Sequence, residues 1–401
     1  MWYPLGPKQQ LQPRQLTYLG RRIQLNTIMP TRRTALRLGG LTAAGLLTLP
    51  NFAIGGKYLR PDDGIVGHGE FRYKVHKDWA DVNRYQTFIT NCHEMVMDSK
   101  GRLIMIGDDP RNNIIVFDKS GKVLDQWGTM YPGGHGLTIN NEGGEDFLYI
   151  ADSGFVPTGT EVKRQNGFVT KTKVDGTLLM MIGHPTTVGA YTPEMRFQPT
   201  ETAVAPNGDI YVADGYGMNY ILRYDRQGRF IQKFGGNNNA DPNYNLASAH
   251  GIALDTRDPN NPRLIVTSRA EAAFKYFTLD GKWLKTVHLN NMQACRAVID
   301  DDQLYAGVCW SHDFGKAREA GWDKPWLVQS GFTLVMDKND QVISCPGGEQ
   351  PIYQDGKLQR VAQNEAKTFY NGHDVCIDED KNVYVCQWNG EFTPPIKLER
   401  V

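Results

Sequence analysis

The chain has 401 residues, and its 44 Lys and Arg residues balance 44 Asp and Glu residues, so the formal net charge at pH 7 is +0. Nothing in this charge balance points to nucleic-acid binding. The 42 glycines suit a fold with many tight turns, and the length allows one large domain with a substantial core.

The first 55 residues are interpreted as an N-terminal extension that carries an export signal. Arg32 and Arg33 precede a modest apolar run at residues 38–49, which is typical of a twin-arginine (Tat) signal. Beyond that segment, no stretch is apolar for long enough to span a membrane. We therefore expect a periplasmic or secreted protein that contacts no membrane beyond its signal and is a monomer.

Residues 56–401 form the second predicted domain and contain a repeating unit of short strand patterns. Each unit pairs a turn and strand, as at residues 206–214, with two strands around an Asp/Gly turn, as at residues 224–231. Four strands per unit, at a period of roughly 40–65 residues, predict the blades of a β-propeller. Six units open near Cys92, Gly134, Gln198, Ala247, Gln293 and Asn371.

The sixth unit has only three strands of its own, at residues 374–378, 383–387 and 396–401. The missing strand is available at residues 71–76. Pairing that N-terminal strand with the last unit closes the ring and removes two free sheet edges. The sequence therefore predicts an all-β fold, a six-bladed β-propeller whose last blade is completed by an N-terminal strand.

Four histidines occupy equivalent positions in the repeat, five residues before the residue that closes a short apolar run. Equivalent positions on blades arranged around an axis converge on that axis, and converging imidazoles bind transition metals. We call the six equivalent positions the slots. They hold His93, His135, Thr200, His250, Cys295 and His373.

Gln198 to Tyr216 resembles the NHL-type repeat of the peptidyl-α-hydroxyglycine α-amidating lyases. The similarity runs roughly from Cys92 to the C-terminus. Landmarks of that family follow in order as His135-Gly136-Leu137, Asp214-Gly215-Tyr216, His250-Gly251-Ile252, Arg269 and His373-Asp374-Val375.

The resemblance implies a zinc ion held by His135, His250 and His373, with Tyr216 as the base and Arg269 beside the site. Zinc would acidify the hydroxyl of a carbinolamide, in a small molecule or peptide, and Tyr216 would remove its proton. The C–N bond would then break to give an amide and glyoxylate or a similar carbonyl.

Other site residues are less directly matched to that family. It implies a structural calcium near the axis, for which Asp374 and Leu137 are the candidate positions. Its first-blade arginine has Arg111 as the nearest candidate here. His93 has no zinc-ligand counterpart in the lyases, and we include it as a fourth candidate metal ligand because it occupies a slot.

Two other functions remain open at this point. Four imidazoles without a carboxylate ligand suit iron or copper in an oxidative enzyme, which would use His93. Alternatively, the chain is a non-catalytic propeller that binds partners through its loops, such as the Trp-containing insertion at residues 311–329. Six-bladed sugar lactonases are disfavoured, because they hold calcium with carboxylate and amide groups rather than histidines.

Overall fold

The computed structural model describes residues 64–158, 161–390 and 392–401. The predicted Tat-type segment, at residues 1–55, lies outside these described residues. No helix in the described part of the chain is long and apolar enough to cross a membrane.

The described residues form antiparallel sheets that follow one another along the chain. Two strands precede the first blade, β1 (Ile65–His68) and β2 (Phe71–His76). From the axis outwards, the first blade contains β3 (Cys92–Met97), β4 (Leu103–Gly107), β5 (Ile114–Phe117) and β6 (Val123–Trp127).

The second blade is built on a long inner hairpin and carries an extra hairpin at one end. Its strands and that hairpin are β7 (Gly134–Glu142), β8 (Glu145–Asp152), the hairpin β9 (Phe155–Thr158) and β10 (Glu161–Arg164), then β11 (Phe168–Lys173) and β12 (Leu178–Ile182).

The third and fourth blades each have four strands in chain order. They are β13 (Glu201–Val204), β14 (Ile210–Ala213), β15 (Tyr220–Tyr224), β16 (Phe230–Gly235), β17 (Ala249–Asp255), β18 (Arg263–Ser268), β19 (Ala273–Thr278) and β20 (Trp283–His288).

The fifth blade has an interrupted inner strand and a long insertion before its third strand. Its strands are β21 (Gln293–Ala294), β22 (Val298–Asp300), β23 (Gln303–Trp310), β24 (Phe332–Met336) and β25 (Val342–Ser344). The insertion contains the helix α1 (Phe314–Glu319), where the Asp313 carboxylate caps the first turn by accepting from the Gly315 and Lys316 amides. A short hairpin follows the blade as β26 (Tyr353–Gln354) and β27 (Lys357–Leu358). The 3-10 turns of the described residues are Pro185–Val188, Pro242–Tyr244, Arg269–Glu271 and Pro325–Leu327.

The sixth blade confirms the predicted closure of the ring. Its own strands are β28 (Gly372–Ile377), β29 (Val383–Gln387) and β30 (Ile396–Arg400), and β2 pairs antiparallel with β30. Tyr73 and Val75 of β2 are buried while the residues between and beside them are more exposed, so one face of the strand packs into the core. β1 adds a fifth strand outside β2.

The inner strands of the six blades contact one another around a closed ring. The two middle strands of a blade are buried on both faces, as in β4 and β5, because each sheet packs between two neighbouring blades. Outer strands such as β6 are half exposed. This arrangement is the predicted six-bladed β-propeller, and it brings equivalent positions of the inner strands to one axis.

Candidate metal centre

The four slot histidines meet on the propeller axis. Neighbouring imidazole rings have centroids 4.7 Å apart for His93 and His135, 4.7 Å for His135 and His250, 5.0 Å for His250 and His373, and 4.8 Å for His373 and His93. All four are buried. The convergence predicted from the repeat is therefore present in the fold.

A β-bulge turns each of these histidines toward the axis. On β3, Cys92 pairs with Gly107 and Glu94 pairs with Ile106, so that His93 is the extra residue between them. The inner strands of the second, fourth and sixth blades shift register at the equivalent place. An extra residue bends the strand and re-aims its side chain, which explains how a residue on a paired strand faces the axis.

Glycine follows two of the histidines because the next blade is too close for a side chain. A Cβ atom at Gly136 would lie 2.5 Å from the Thr200 carbonyl oxygen, and one at Gly251 would lie 2.3 Å from the Cys295 carbonyl oxygen. The glycine in each His-Gly pair thus lets the inner strands approach closely.

Three of the histidines present the same nitrogen to the centre. His135 Nδ1 lies 2.8 Å from the Thr200 carbonyl oxygen, and His373 Nδ1 lies 2.8 Å from the His93 carbonyl oxygen. His250 Nδ1 contacts the carbonyl oxygen of the next slot residue in the same way, at 3.4 Å. A carbonyl only accepts, so Nδ1 carries the proton and donates, and the unprotonated Nε2 is left as a metal ligand.

His93 is held differently. Its Nε2 lies 3.3 Å from Asp108 Oδ2, while its Nδ1 is buried without a hydrogen-bond partner among the described residues. Asn91 fixes the Asp108 carboxylate through its backbone N–H at 3.0 Å and its side-chain amide at 2.8 Å. A carboxylate that accepts from Nε2 leaves Nδ1 as the lone-pair donor, so His93 presents the opposite nitrogen to its three neighbours.

The donor atoms form two overlapping groups suitable for a metal ion. Ligand atoms of His93, His135 and His373 lie within 4.8 Å of one another, and so do those of His250, Cys295 and His373. Burial lowers the pKa of His135, His250 and His373 well below the ordinary histidine value, and neighbouring charges lower it further. These imidazoles are therefore neutral, the form that binds metal.

The hydroxyl of Tyr216 faces two of these nitrogens. It lies 3.1 Å from His135 Nε2 and 3.0 Å from His250 Nε2. The hydroxyl has one proton, so it satisfies only one of the two lone pairs that point at it. Such a surplus of buried lone pairs fits a bound cation, so the residues present suit a metal ion.

Arg269 lies on the other side of Tyr216. Its Nη2 donates to the Tyr216 hydroxyl at 3.3 Å, its Nη1 lies 3.9 Å from Cys295 Sγ, and its guanidinium sits 5.2 Å from the centre of the Trp310 ring. Within the described ranges no carboxylate pairs with this buried guanidinium. Burial raises the pKa of Tyr216, and the charge of Arg269 opposes that rise.

Arg111 is not brought to the histidines. Its guanidinium bonds to Asp109, with Nη2 2.8 Å from Oδ2, and stacks 3.5 Å from the centre of the Phe88 ring. The catalytic role of Arg111 stays a prediction, but its side chain is 59% exposed and makes no recorded contact with the slot histidines in the described part of the chain. The physical reason is local: Asp109, two residues earlier, binds the guanidinium before it can reach the axis.

A cavity of about 220 Å³ leads to the histidine cluster. His93, His135, His373, Tyr216 and Arg269 contribute its polar lining. Its apolar and aromatic walls come from Phe155, Val162, Trp310 and Trp388. A concave apolar pocket with a few convergent polar groups is the usual form of a small-molecule site.

The sequence analysis overlooked several residues of this cavity. Asp108 was not considered, although an aspartate stands at or directly after the end of the second strand in three blades, as Asp108, Asp152 and Asp214, and this recurrence was available as a signal. His312 of the insertion was also left unassigned. Its Nδ1 lies 2.7 Å from Ser330 Oγ and its Nε2 lies 3.0 Å from the Pro325 carbonyl oxygen. His312 therefore stabilises the insertion and is not a ligand.

The two candidate calcium positions share a partner that the sequence analysis missed. Arg296 donates from Nη1 to the Leu137 carbonyl oxygen at 2.8 Å and from Nη2 to Asp374 Oδ2 at 2.7 Å. Because a guanidinium already bonds to both oxygens, Leu137 and Asp374 do not fit a calcium ion.

No protein-family model matches this chain. Human NHL repeat-containing protein 3 is 27% identical over 218 residues, which are 53% of this chain and 58% of that protein. Peptidyl-alpha-hydroxyglycine alpha-amidating lyase 1 of Drosophila melanogaster is 30% identical over 282 residues, 67% of this chain and 46% of that protein. The chain thus spans about half the length of the curated relatives it matches.

Among solved structures, a gluconolactonase from Xanthomonas campestris matches with a TM-score of 0.51 and 11% identity, covering 85% of this chain and 98% of that one. That likeness concerns the fold alone. The chain is a six-bladed β-propeller homologous to NHL repeat-containing proteins and peptidyl-α-hydroxyglycine α-amidating lyases.

Proposed function

We propose that this protein is a metal-dependent lyase of the amidating-lyase type, which cleaves the C–N bond of a carbinolamide. The observation that carries the proposal is the Tyr216 hydroxyl, which lies between two unprotonated histidine nitrogens and Arg269. The homologous lyases support the reaction class.

His135, His250 and His373 would hold zinc through Nε2, and His93 would add its Nδ1. All four nitrogens belong to buried side chains, and three of them have their protonation set by a backbone carbonyl. Bound zinc would supply Lewis acidity to the hydroxyl oxygen of the substrate.

Tyr216 would act as the base that takes the hydroxyl proton of the substrate. The electron pair of that O–H bond would form the new C=O bond, the C–N bond would break, and the leaving amide nitrogen would take a proton back from Tyr216 Oη. The products are an amide and glyoxylate or a similar carbonyl, with no change in oxidation state. Arg269 would stabilise the phenolate, since its Nη2 already donates to that oxygen.

The cavity suits a substrate with an acyl group and a carboxylate. Phe155, Trp310 and Trp388 provide an apolar wall for the acyl group. Arg269 has no carboxylate partner within the described ranges, so its guanidinium is available to an anionic group of a hydroxyglycine.

A four-histidine oxidative centre is the second candidate function. The favouring observation is that His93 completes a ring of four imidazoles, with Nδ1 lacking a partner within the described part of the chain. Plasma mass spectrometry of the purified protein, followed by assays with and without oxygen, separates the two. Zinc with oxygen-independent cleavage supports the lyase; iron or copper with an oxygen requirement overturns it. Absence of any transition metal after loading would leave a binding propeller.

Substitution of Asp108 tests whether His93 is a ligand. Asp108→Ala is expected to weaken zinc binding by about 10–100-fold, because the group that orients His93 is lost. Asp108→Asn should weaken binding less, since its side-chain oxygen still accepts from Nε2. Competition with a chromophoric chelator measures the affinity, and the visible spectrum of the cobalt-loaded protein reports the change in coordination.

Asp109→Ala is the matched control for that experiment, because the neighbouring aspartate bonds to Arg111 and not to His93. It should leave zinc affinity and the cobalt spectrum unchanged. Equal zinc affinity in Asp108→Ala and wild type would show that His93 is not a ligand.

We also propose that the protein is exported through the Tat pathway to the periplasm or beyond the cell. The twin arginines Arg32 and Arg33 support this localisation. Replacing both with lysine is expected to retain the protein in the cytoplasm, as measured by cell fractionation. Unchanged export of the double variant would contradict the assignment.

A further inference from the structure

A second ring of residues lies one position further along each inner strand than the slots. The ring consists of Glu94, Gly136, Glu201, Gly251, Arg296 and Asp374. Its three carboxylates are completely buried, and Arg296 is 7% exposed. Buried carboxylates this close together require a compensating positive charge.

Arg296 supplies that charge and reaches oxygens from four other blades. Besides Leu137 and Asp374, its Nη2 donates to the Met95 carbonyl oxygen at 3.3 Å, and its Nη1 lies 3.3 Å from Glu94 Oε2 and 3.6 Å from Glu201 Oε2. Nε adds a bond to Asp374 Oδ1 at 3.1 Å. Every nitrogen of the guanidinium therefore points at an oxygen.

The carboxylates are in turn tied to the backbone of neighbouring blades. The Leu137 N–H donates to Glu94 Oε2 at 2.6 Å, and the Met95 N–H donates to Asp374 Oδ2 at 3.0 Å. No other Lys or Arg of the described residues pairs with Glu94, Glu201 or Asp374. A single side chain thus connects the first, second, third, fifth and sixth blades at the axis.

Carboxylates and backbone carbonyls around one point are the ligands that a hard divalent cation such as calcium uses. Here the same oxygens surround a guanidinium. We propose that Arg296 is the resident cation of the propeller axis, which takes the place of a structural divalent ion and makes the fold independent of calcium. This inference does not rest on the proposed lyase activity.

Calcium titration of the wild-type protein is the direct test. Divalent ions are removed with a chelating resin and zinc alone is restored, so that the histidine centre does not enter the comparison. We expect the melting temperature to be the same with and without added CaCl₂, and calorimetry to detect no calcium binding. A bound calcium ion, or a rise in melting temperature on its addition, would overturn the proposal.

Arg296→Gln is expected to lower the melting temperature by about 10 °C, because three buried carboxylates lose the one cation that pairs with them in the described part of the chain. It should also create a calcium response, since Glu94 Oε1 and Glu201 Oε2 have no hydrogen-bond partner among the described residues and become available as ligands. Added CaCl₂ should then restore part of the loss. A folded Arg296→Gln variant that ignores calcium would contradict the proposal, and if the variant does not fold, the wild-type titration still decides.

Arg257→Gln is the matched control. The side chain of Arg257 is also largely buried and pairs with a carboxylate, with Nε 2.8 Å from Asp255 Oδ1. Asp255 is the one carboxylate that it pairs with in the described chain, and Arg263 pairs with the same group, while Arg257 Nη1 lies 3.4 Å from the Asp302 carbonyl oxygen. Its substitution should lower the melting temperature without creating a response to calcium. A calcium response in both variants would show that the effect is not specific to the axial ring.

Discussion

The double variant His135→Ala, His250→Ala is expected to lose its transition metal completely, falling from about one ion per chain in the wild type. Both Nε2 atoms that face the Tyr216 hydroxyl disappear, and two nitrogens remain of the four that surround the centre. Loss of one residue that orients a ligand lowers metal affinity by about 10–100-fold. Removal of two ligands should therefore lower the affinity by more than this. Plasma mass spectrometry after loading and desalting measures the result.

His312→Ala serves as the control for the double variant. His312 bonds to Ser330 and Pro325 within the insertion and makes no contact with the slot histidines that the structure records. It should keep the wild-type metal content. A double variant that binds metal as well as the wild type would place the metal elsewhere on the chain.

Tyr216→Phe is expected to lower kcat by about 10²–10⁴-fold while metal content stays at the wild-type level. The substitution removes only the hydroxyl, which we assign as the base, and leaves the ring that packs against Phe155 with centroids 5.1 Å apart. The variant should also lose the acid limb of the pH–rate profile, because a base must be unprotonated to act and the rate rises with pH through its pKa. Steady-state kinetics across pH measure both effects.

Tyr131→Phe is the matched control for Tyr216→Phe. Tyr131 is also buried, but its hydroxyl lies 2.8 Å from Thr170 Oγ1, away from the cavity. It should leave kcat and the pH profile unchanged. A Tyr216→Phe variant with wild-type kcat would remove Tyr216 from the reaction, whatever the metal content.

The fold was predictable because its signals are local and repeated. Asp/Gly turns between short strand patterns recur along the chain, and the sixth unit lacked one strand that Phe71–His76 could supply. The slot histidines followed from register alone, because a fixed position in repeated strands becomes a fixed position around the axis.

The details of the site depended on information that a single strand does not contain. The bulge at His93 exists only relative to β4, so the sequence of β3 alone does not show which way the imidazole points. The pairing of Arg111 with Asp109, which competes with any contact between Arg111 and the histidines, was not evident from the sequence. Arg296 was overlooked since its oxygens come from four other blades and converge only when the ring closes.

Glyoxylate release from an N-acyl-α-hydroxyglycine by the zinc-loaded protein tests the central claim most directly. The lyase assignment predicts stoichiometric formation of glyoxylate and the corresponding amide, without oxygen, and none above background from the His135→Ala, His250→Ala variant under the same conditions. Zinc-loaded wild type that releases glyoxylate no faster than this variant would contradict the assignment.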